Sequence, residues 1–239
     1  MSAPAETLTP EQPTATRPAP RWPRTALMAV IAVGLLLLGG GAAVALGIGR
    51  TTTPDADSVD AGFAWDMSRH HLQGIEMANL APDHSQDPII RSLAFDISAT
   101  QTNQVGRMQG WLALWGLPNL SGRSPMYWMG GMPASSSMPD MAGMTMADDG
   151  PGTLMPGMAT NAEMAHLRSL SGKAWDVEFL RLMIRHHQGG LKMAQYAAQH
   201  AQEPSVRTLA ESMALTQTAE VHTMAQLLAE RGGTPLPAP

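Results

Sequence analysis

The stretch MSRHHLQGIEMA, Met67 to Ala78, returns 116 residues later as MIRHHQGGLKMA, Met183 to Ala194. The register extends well beyond these twelve positions without a gap. Asp60, Phe63, Met67, His70, His71, Met77 and Ala78 match Asp176, Phe179, Met183, His186, His187, Met193 and Ala194. Pro88, Arg91, Leu93, Ala94, Thr100, Gln101, Met108, Leu112 and Gly116 match Pro204, Arg207, Leu209, Ala210, Thr216, Gln217, Met224, Leu228 and Gly232. A duplication is the simplest account. A repeat of this kind confines the fold to arrangements in which two copies of one supersecondary unit bury their apolar faces on each other.

Each copy reads as a pair of helices. The first helix is expected over Val59–Leu80 in one copy and Ala174–His200 in the other, and the second over Ile89–Trp115 and Ser205–Arg231. Between them PDHSQDP and QEP supply a polar break, with proline suited to the first turn of the next helix. Gly116 and Gly232 are common stop signals. Leu93, Ile97, Met108 and Leu112 recur at helical spacing, as do Leu209, Met213, Met224 and Leu228. Two amphipathic hairpins predict an all-α four-helix bundle. The hairpins span residues 55–118 and 166–232 and form one domain, separated by a crossover over 119–165.

The first 24 residues, rich in Pro, Thr and Ala, read as a disordered cytoplasmic tail. Residues 25–49 carry no charge and are long enough to cross a bilayer. Arg17, Arg21 and Arg24 precede this run, and Asp55, Asp57 and Asp60 follow it. That asymmetry puts the remainder outside the membrane, in the periplasm or its equivalent. A cleaved signal peptide is the competing reading, because Ala43-Val44-Ala45 has the small-x-small form. The length of the apolar run favours a single-pass anchor. The chain has no cysteine, which fits export. A net charge of −5 with no basic cluster argues against nucleic acid as a partner.

On a helical wheel at 100° per residue, Met183, His186, His187 and Met193 share one face with Asp176 and Gly190. Met67, His70, His71, Met77, Asp60 and Gly74 repeat the pattern. Two imidazoles, two thioethers and a carboxylate on one face are candidate metal ligands, with a glycine leaving room for close helix approach, an ion or ring packing. A lone methionine here would be core filler. Four histidines in two equivalent pairs are costly to bury unless each nitrogen finds a partner or a metal. Imidazole suits several first-row metals, whereas thioether selects Cu(I). A carboxylate di-iron bundle would need Glu-x-x-His on two helices. Glu163 with His166 is the one clear match and has no counterpart in the first copy. Zinc would leave the methionines idle.

The crossover is rich in Gly, Pro, Ser and Met, and 10 of the chain's 19 methionines lie between Met126 and Met164. Met126, Met129 and Met132, then Met138, Met141, Met144 and Met146, fall largely at Met-x-x-Met spacing. Such spacing lets thioethers converge on one soft ion. With almost no helical periodicity, the segment is expected to be separable from the bundle.

The pattern Asp-x-x-Phe, Met-x-x-His-His and Met-Ala, followed by SLAFDISATQ or TLAESMALTQ, resembles the domain of unknown function 305 family. AWDVEFLRLMIRHHQGGLKMA looks like that family's most recognisable segment. The resemblance covers Asp60 to Gly232. It implies a ferritin-like helical bundle and an exported location, with copper binding or tolerance attributed to some members. By position it marks His70, His71, Met77, His186, His187 and Met193, and adds Met108 and Met224 on the pairing helices. The first copy departs from the pattern, with Leu72-Gln73 where the second has Gln188-Gly189.

The expectation is a membrane-anchored extracytoplasmic protein binding copper, as Cu(I) or Cu(II), for sequestration, tolerance or transfer. A homo-oligomer and a copper-transfer partner protein are left open. The alternatives are a structural or interaction bundle whose core histidines bind no metal, and a metal-dependent redox enzyme. No nucleophile, acid–base pair or cofactor fingerprint is evident, so no enzyme is expected.

Overall fold

A computed structural model describes residues 22–46, 53–130 and 155–239, which contain seven helices and no strand. The chain divides into two units, Met1–Thr52 and Thr53–Pro239. In the first, α1 runs Trp22–Ala45. It takes in Trp22, Pro23 and Arg24, which the composition had assigned to the tail; the rest of that tail lies outside the described residues. Pro23–Ala45, with a mean hydropathy of 2.4, is long and apolar enough to cross a membrane. A signal sequence near an N-terminus meets the same description.

The second unit is built on four long helices: α2 (Val59–Asn79), α4 (Pro88–Leu114), α6 (Gly172–His200) and α7 (Pro204–Glu230). Two short ones, α3 (Ala81–His84) and α5 (Asn161–Ser169), complete it. Ser58 opens α2 by accepting from the Ala61 amide at 3.2 Å. Asp87 caps α4 from one side of Pro88. Gly116 and Gly232 take left-handed conformations, and the next residue in each case reaches back to Leu112 O or Leu228 O. Both repeats thus stop by the same device. Two details escaped the periodicity. The polar break of the first repeat contains the single turn α3, and the end of the crossover forms α5. The signal for α5 was present as Thr160 and Glu163, whose side chains cap each other's backbone amides.

α2 pairs with α4, α6 pairs with α7, and the two hairpins meet through α2 and α6. Gly74 faces His186, and Gly190 faces His70, so these central helices run antiparallel and cross at the histidines. Side chains buried between them form two apolar clusters, one toward each end.

The crossover is fastened to this core at both ends, against the expectation that it is separable. Trp65 Nε1 donates to Pro118 O, and the buried Asp66 carboxylate accepts from Met126 N and Trp128 Nε1. Trp128 is buried against Gly62, where a Cβ would stand 2.3 Å from the indole. At the other end Met155 is buried, and Gln73 exchanges two hydrogen bonds with the backbone of Ala159, at 2.8 and 2.7 Å. Apolar side chains spaced too irregularly for a helix nevertheless found core positions.

Candidate metal centre

The four histidines meet where α2 crosses α6. The His70 and His186 rings stack with centroids 3.8 Å apart and planes inclined by 31°. The two glycines explain this approach. A Cβ on Gly190 would stand 3.2 Å from His70 Cε1, and one on Gly74 would stand 3.1 Å from His186 Cε1. Each repeat's glycine is therefore the seat of the other repeat's ring. His71 and His187 point outward along the same crossing, toward α4 and α7.

Every ring has its Nε2 engaged. His186 donates to His70 O at 3.0 Å and His70 to Pro156 O at 3.2 Å. His71 bonds Gln104 Oε1 at 2.7 Å, and His187 bonds Glu220 Oε2 at 2.9 Å. Carbonyl and carboxylate oxygens only accept, so these partners hold each ring in the Nε2–H tautomer. That leaves Nδ1 as a bare lone pair on all four rings, and all four Nδ1 atoms are buried without a hydrogen-bond partner. Burial keeps His70, His71 and His186 neutral. His70 is pushed down to about 3, by desolvation first and then by the neighbouring His71. His71 falls to about 4 for the same first reason, and desolvation followed by His70 takes His186 well below the usual range. Neutral imidazoles with free lone pairs are ligands in waiting.

The methionines sort by helix end and not by repeat. Met67, Met108 and Met193 lie in one apolar cluster; Met183, Met224 and Met77 lie in the other. All six are fully buried. Met67 and Met77 sit ten residues apart, an axial rise of about 15 Å, so they cannot serve one ion. Antiparallel packing instead brings Met67 to Met193 and Met77 to Met183. The two triplets are equivalent under the repeat, and each draws thioethers from both copies. His71 lies one turn from Met67, and His187 one turn from Met183.

The same axial rise removes the two aspartates from the centre. Asp60 and Asp176 share a face with the histidines but lie about 15 Å along the helix from His70 and His186. Asp60 accepts the amides of Gln202 and Glu203, at 3.0 and 2.8 Å, and so fastens the turn before α7 from across the domain. Asp176 is buried near the start of α6. Glu163 is engaged by Arg185 at 2.7 Å as well as by the α5 cap. Of the crossover methionines, Met129 is buried and Met126 half-buried in the cluster that holds Met67. Met132, Met138, Met141 and Met144 lie outside the described residues.

Among the described residues, no three His, Asp or Glu side chains stand together as a metal-holding group. An ion at this centre would have to draw on thioethers, and the donor set fits a soft ion in that respect. Gln104 and Glu220, the oxygen partners of the outer rings, were not singled out in the sequence. The signal was there, since the two align across the repeat and lie on the helices that face the histidines.

The class is thus an all-helical protein folded around paired histidines at a crossing of two repeats. The chain belongs to the family described as Domain of unknown function (DUF305), whose model matches residues 60–228. A solved DUF305 protein from Streptomyces coelicolor is 43% identical, with a TM-score of 0.66, covering 77% of this chain and 99% of that one. A DUF305 fragment from Deinococcus radiodurans is 32% identical, with a TM-score of 0.57, covering 74% and 99%. CopM, solved in a Cu(II)-bound form, is 25% identical, with a TM-score of 0.50, covering 72% and 96%. The Cu(I)-bound form of CopM shares the fold at 23% identity and a TM-score of 0.52, covering 73% and 98%. No curated protein matches the chain.

Proposed function

We propose that this chain is an extracytoplasmic copper-binding protein, tethered by α1, that holds Cu(I) for sequestration, tolerance or transfer and is not an enzyme. The observation that carries the reading is the pair of buried methionine triplets, Met67/Met108/Met193 and Met77/Met183/Met224, flanking four imidazoles whose Nδ1 lone pairs have no partner. His71 with the first triplet and His187 with the second offer mixed imidazole–thioether sets, which favour Cu(I) over harder ions. The stacked His70 and His186 stand between the two sets. A relative solved with bound copper supports the choice of metal.

The purely structural reading draws on the same inner pair, since stacked rings seated on glycines are what core packing alone would produce. Replacing His71 and His187 together with alanine separates the two. Cu(I) affinity, measured against a chromophoric chelator, should fall at least tenfold. His200→Ala with His222→Ala, both at exposed positions, should leave it unchanged. Equal affinities in both double variants would identify the rings as core residues. For the tether, protease added to intact spheroplasts should digest the second unit; complete protection would reject that topology.

A further inference from the structure

The two outer histidines occupy equivalent places in the repeat, yet the oxygens that hold them differ in charge. His71 Nε2 meets the amide oxygen of Gln104 at 2.7 Å, and His187 Nε2 meets the carboxylate of Glu220 at 2.9 Å. Gln104 and Glu220 are 116 residues apart and on matching turns of α4 and α7, so this is a substitution within one design. Both rings are fully buried and both lack any other polar contact to a side chain. The chemistry that follows is not symmetric. A carboxylate accepting Nε2–H pushes electron density onto Nδ1 and raises the ring's basicity as a ligand, which an amide oxygen does weakly. It also supplies a negative charge close to a site that would take up a cation, and a buried cation without compensation is costly.

In the second-repeat half the other carboxylates are committed or distant: Asp176 is buried about 15 Å along α6 from the histidines. Glu178 and Glu163 are held by Arg181 and Arg185. In the first-repeat half, Asp66 is committed to Trp128 and Met126, away from the His71 ring. The partners of the outer rings are therefore where the two halves differ in charge at the rings themselves.

Resting on the copper reading above, we infer that Glu220 is an affinity-determining positioning residue. It makes the His187/Met183/Met224/Met77 set the tight site of the protein, and Gln104 leaves the His71/Met67/Met108/Met193 set the weak one. The two sites would then fill in order, the weaker being the one from which an ion is more readily released.

The test is a Cu(I) titration of the full chain against a competing chelator, with Glu220→Gln and Gln104→Glu, each nearly isosteric with the residue it replaces. Wild type should show two affinity classes. Glu220→Gln should weaken the tighter class by about 10- to 100-fold and merge it with the weaker, with the number of ions bound unchanged. Gln104→Glu should do the converse, raising the weaker class. Nitrogen NMR of the metal-free protein supplies a readout that a merely structural role would not move. The His187 ring resonances should shift toward those of His71 in Glu220→Gln, and those of His71 toward His187 in Gln104→Glu. Two unchanged constants in Glu220→Gln would overturn the inference and leave the copper reading standing. A wild-type chain that takes up no Cu(I) would remove the reading itself, and the inference with it.

Discussion

At the scale of the residue, the centre is held by hydrogen bonds that decide which nitrogen of each histidine is free. Nε2 of His70, His71, His186 and His187 is tied to an oxygen in every case, and Nδ1 is left bare. The arrangement has a cost at low pH. His70, His71 and His186 have folded pKa values depressed below the ordinary value near 6.5, by burial above all. Their stabilising contribution is complete above that unfolded value and is lost as pH falls toward the folded ones. The unfolded chain binds the extra protons in that window, so stability falls by up to about 1.4 kcal/mol per pH unit for each ring. Asp66, raised by burial, pulls the other way, but it is one group against three. Denaturant unfolding of the metal-free protein should show stability declining steadily from pH 7 to pH 5. A flat profile over that range would mean that the rings are not buried in the neutral form.

At the scale of the element, most helices were legible and their ends nearly so. The helix expected over Ile89–Trp115 runs Pro88–Leu114, and that expected over Ser205–Arg231 runs Pro204–Glu230. Proline starts and glycine stops are local signals, so they survive without tertiary knowledge. What the wheel could not supply was position along the axis. It put Asp60 and Met77 on one face with His70, although the rise along α2 separates them from it by about 15 and about 10 Å. The crossover was the other loss, because its anchoring residues follow no period.

One departure between the repeats acquires a reason at this scale. Gln73, in the first, ties down Ala159; its counterpart Gly189, in the second, lies under Pro156, whose carbonyl holds His70. The 155–160 segment thus spans both copies at their point of divergence. Gly189→Ala would put a Cβ 1.9 Å from Pro156 O, against backbone that cannot yield without moving the segment. Gly110→Ala meets open space near the C-terminal end of α4. The first substitution should destabilise the protein by about 1–3 kcal/mol. The second should stabilise it by about 0.5–1 kcal/mol, through helix propensity. Thermal unfolding of both variants checks this; a neutral Gly189→Ala would show that the segment is not seated there.

At the scale of the whole molecule, the repeat does more than double a hairpin. Each methionine triplet is assembled from both copies, and each glycine accommodates the other copy's imidazole, so neither half contains a complete centre. The exchange also bears on whether the two histidine pairs serve one site or two. The six repeat-related thioethers, divided between two ends of the core with an outer histidine toward each, make two sets. The most direct measurement is the copper content of the full chain, purified without a histidine tag, loaded with Cu(I) under reducing conditions and freed of loosely held ion by a weak chelator. The expected result is two copper ions per chain that depend on the centre, falling to one when Met183 and Met224 are replaced by leucine and to none when Met67 and Met108 are replaced as well. Copper content unchanged by all four leucines, in a protein that still unfolds cooperatively, would contradict the assignment of the triplets as ligands.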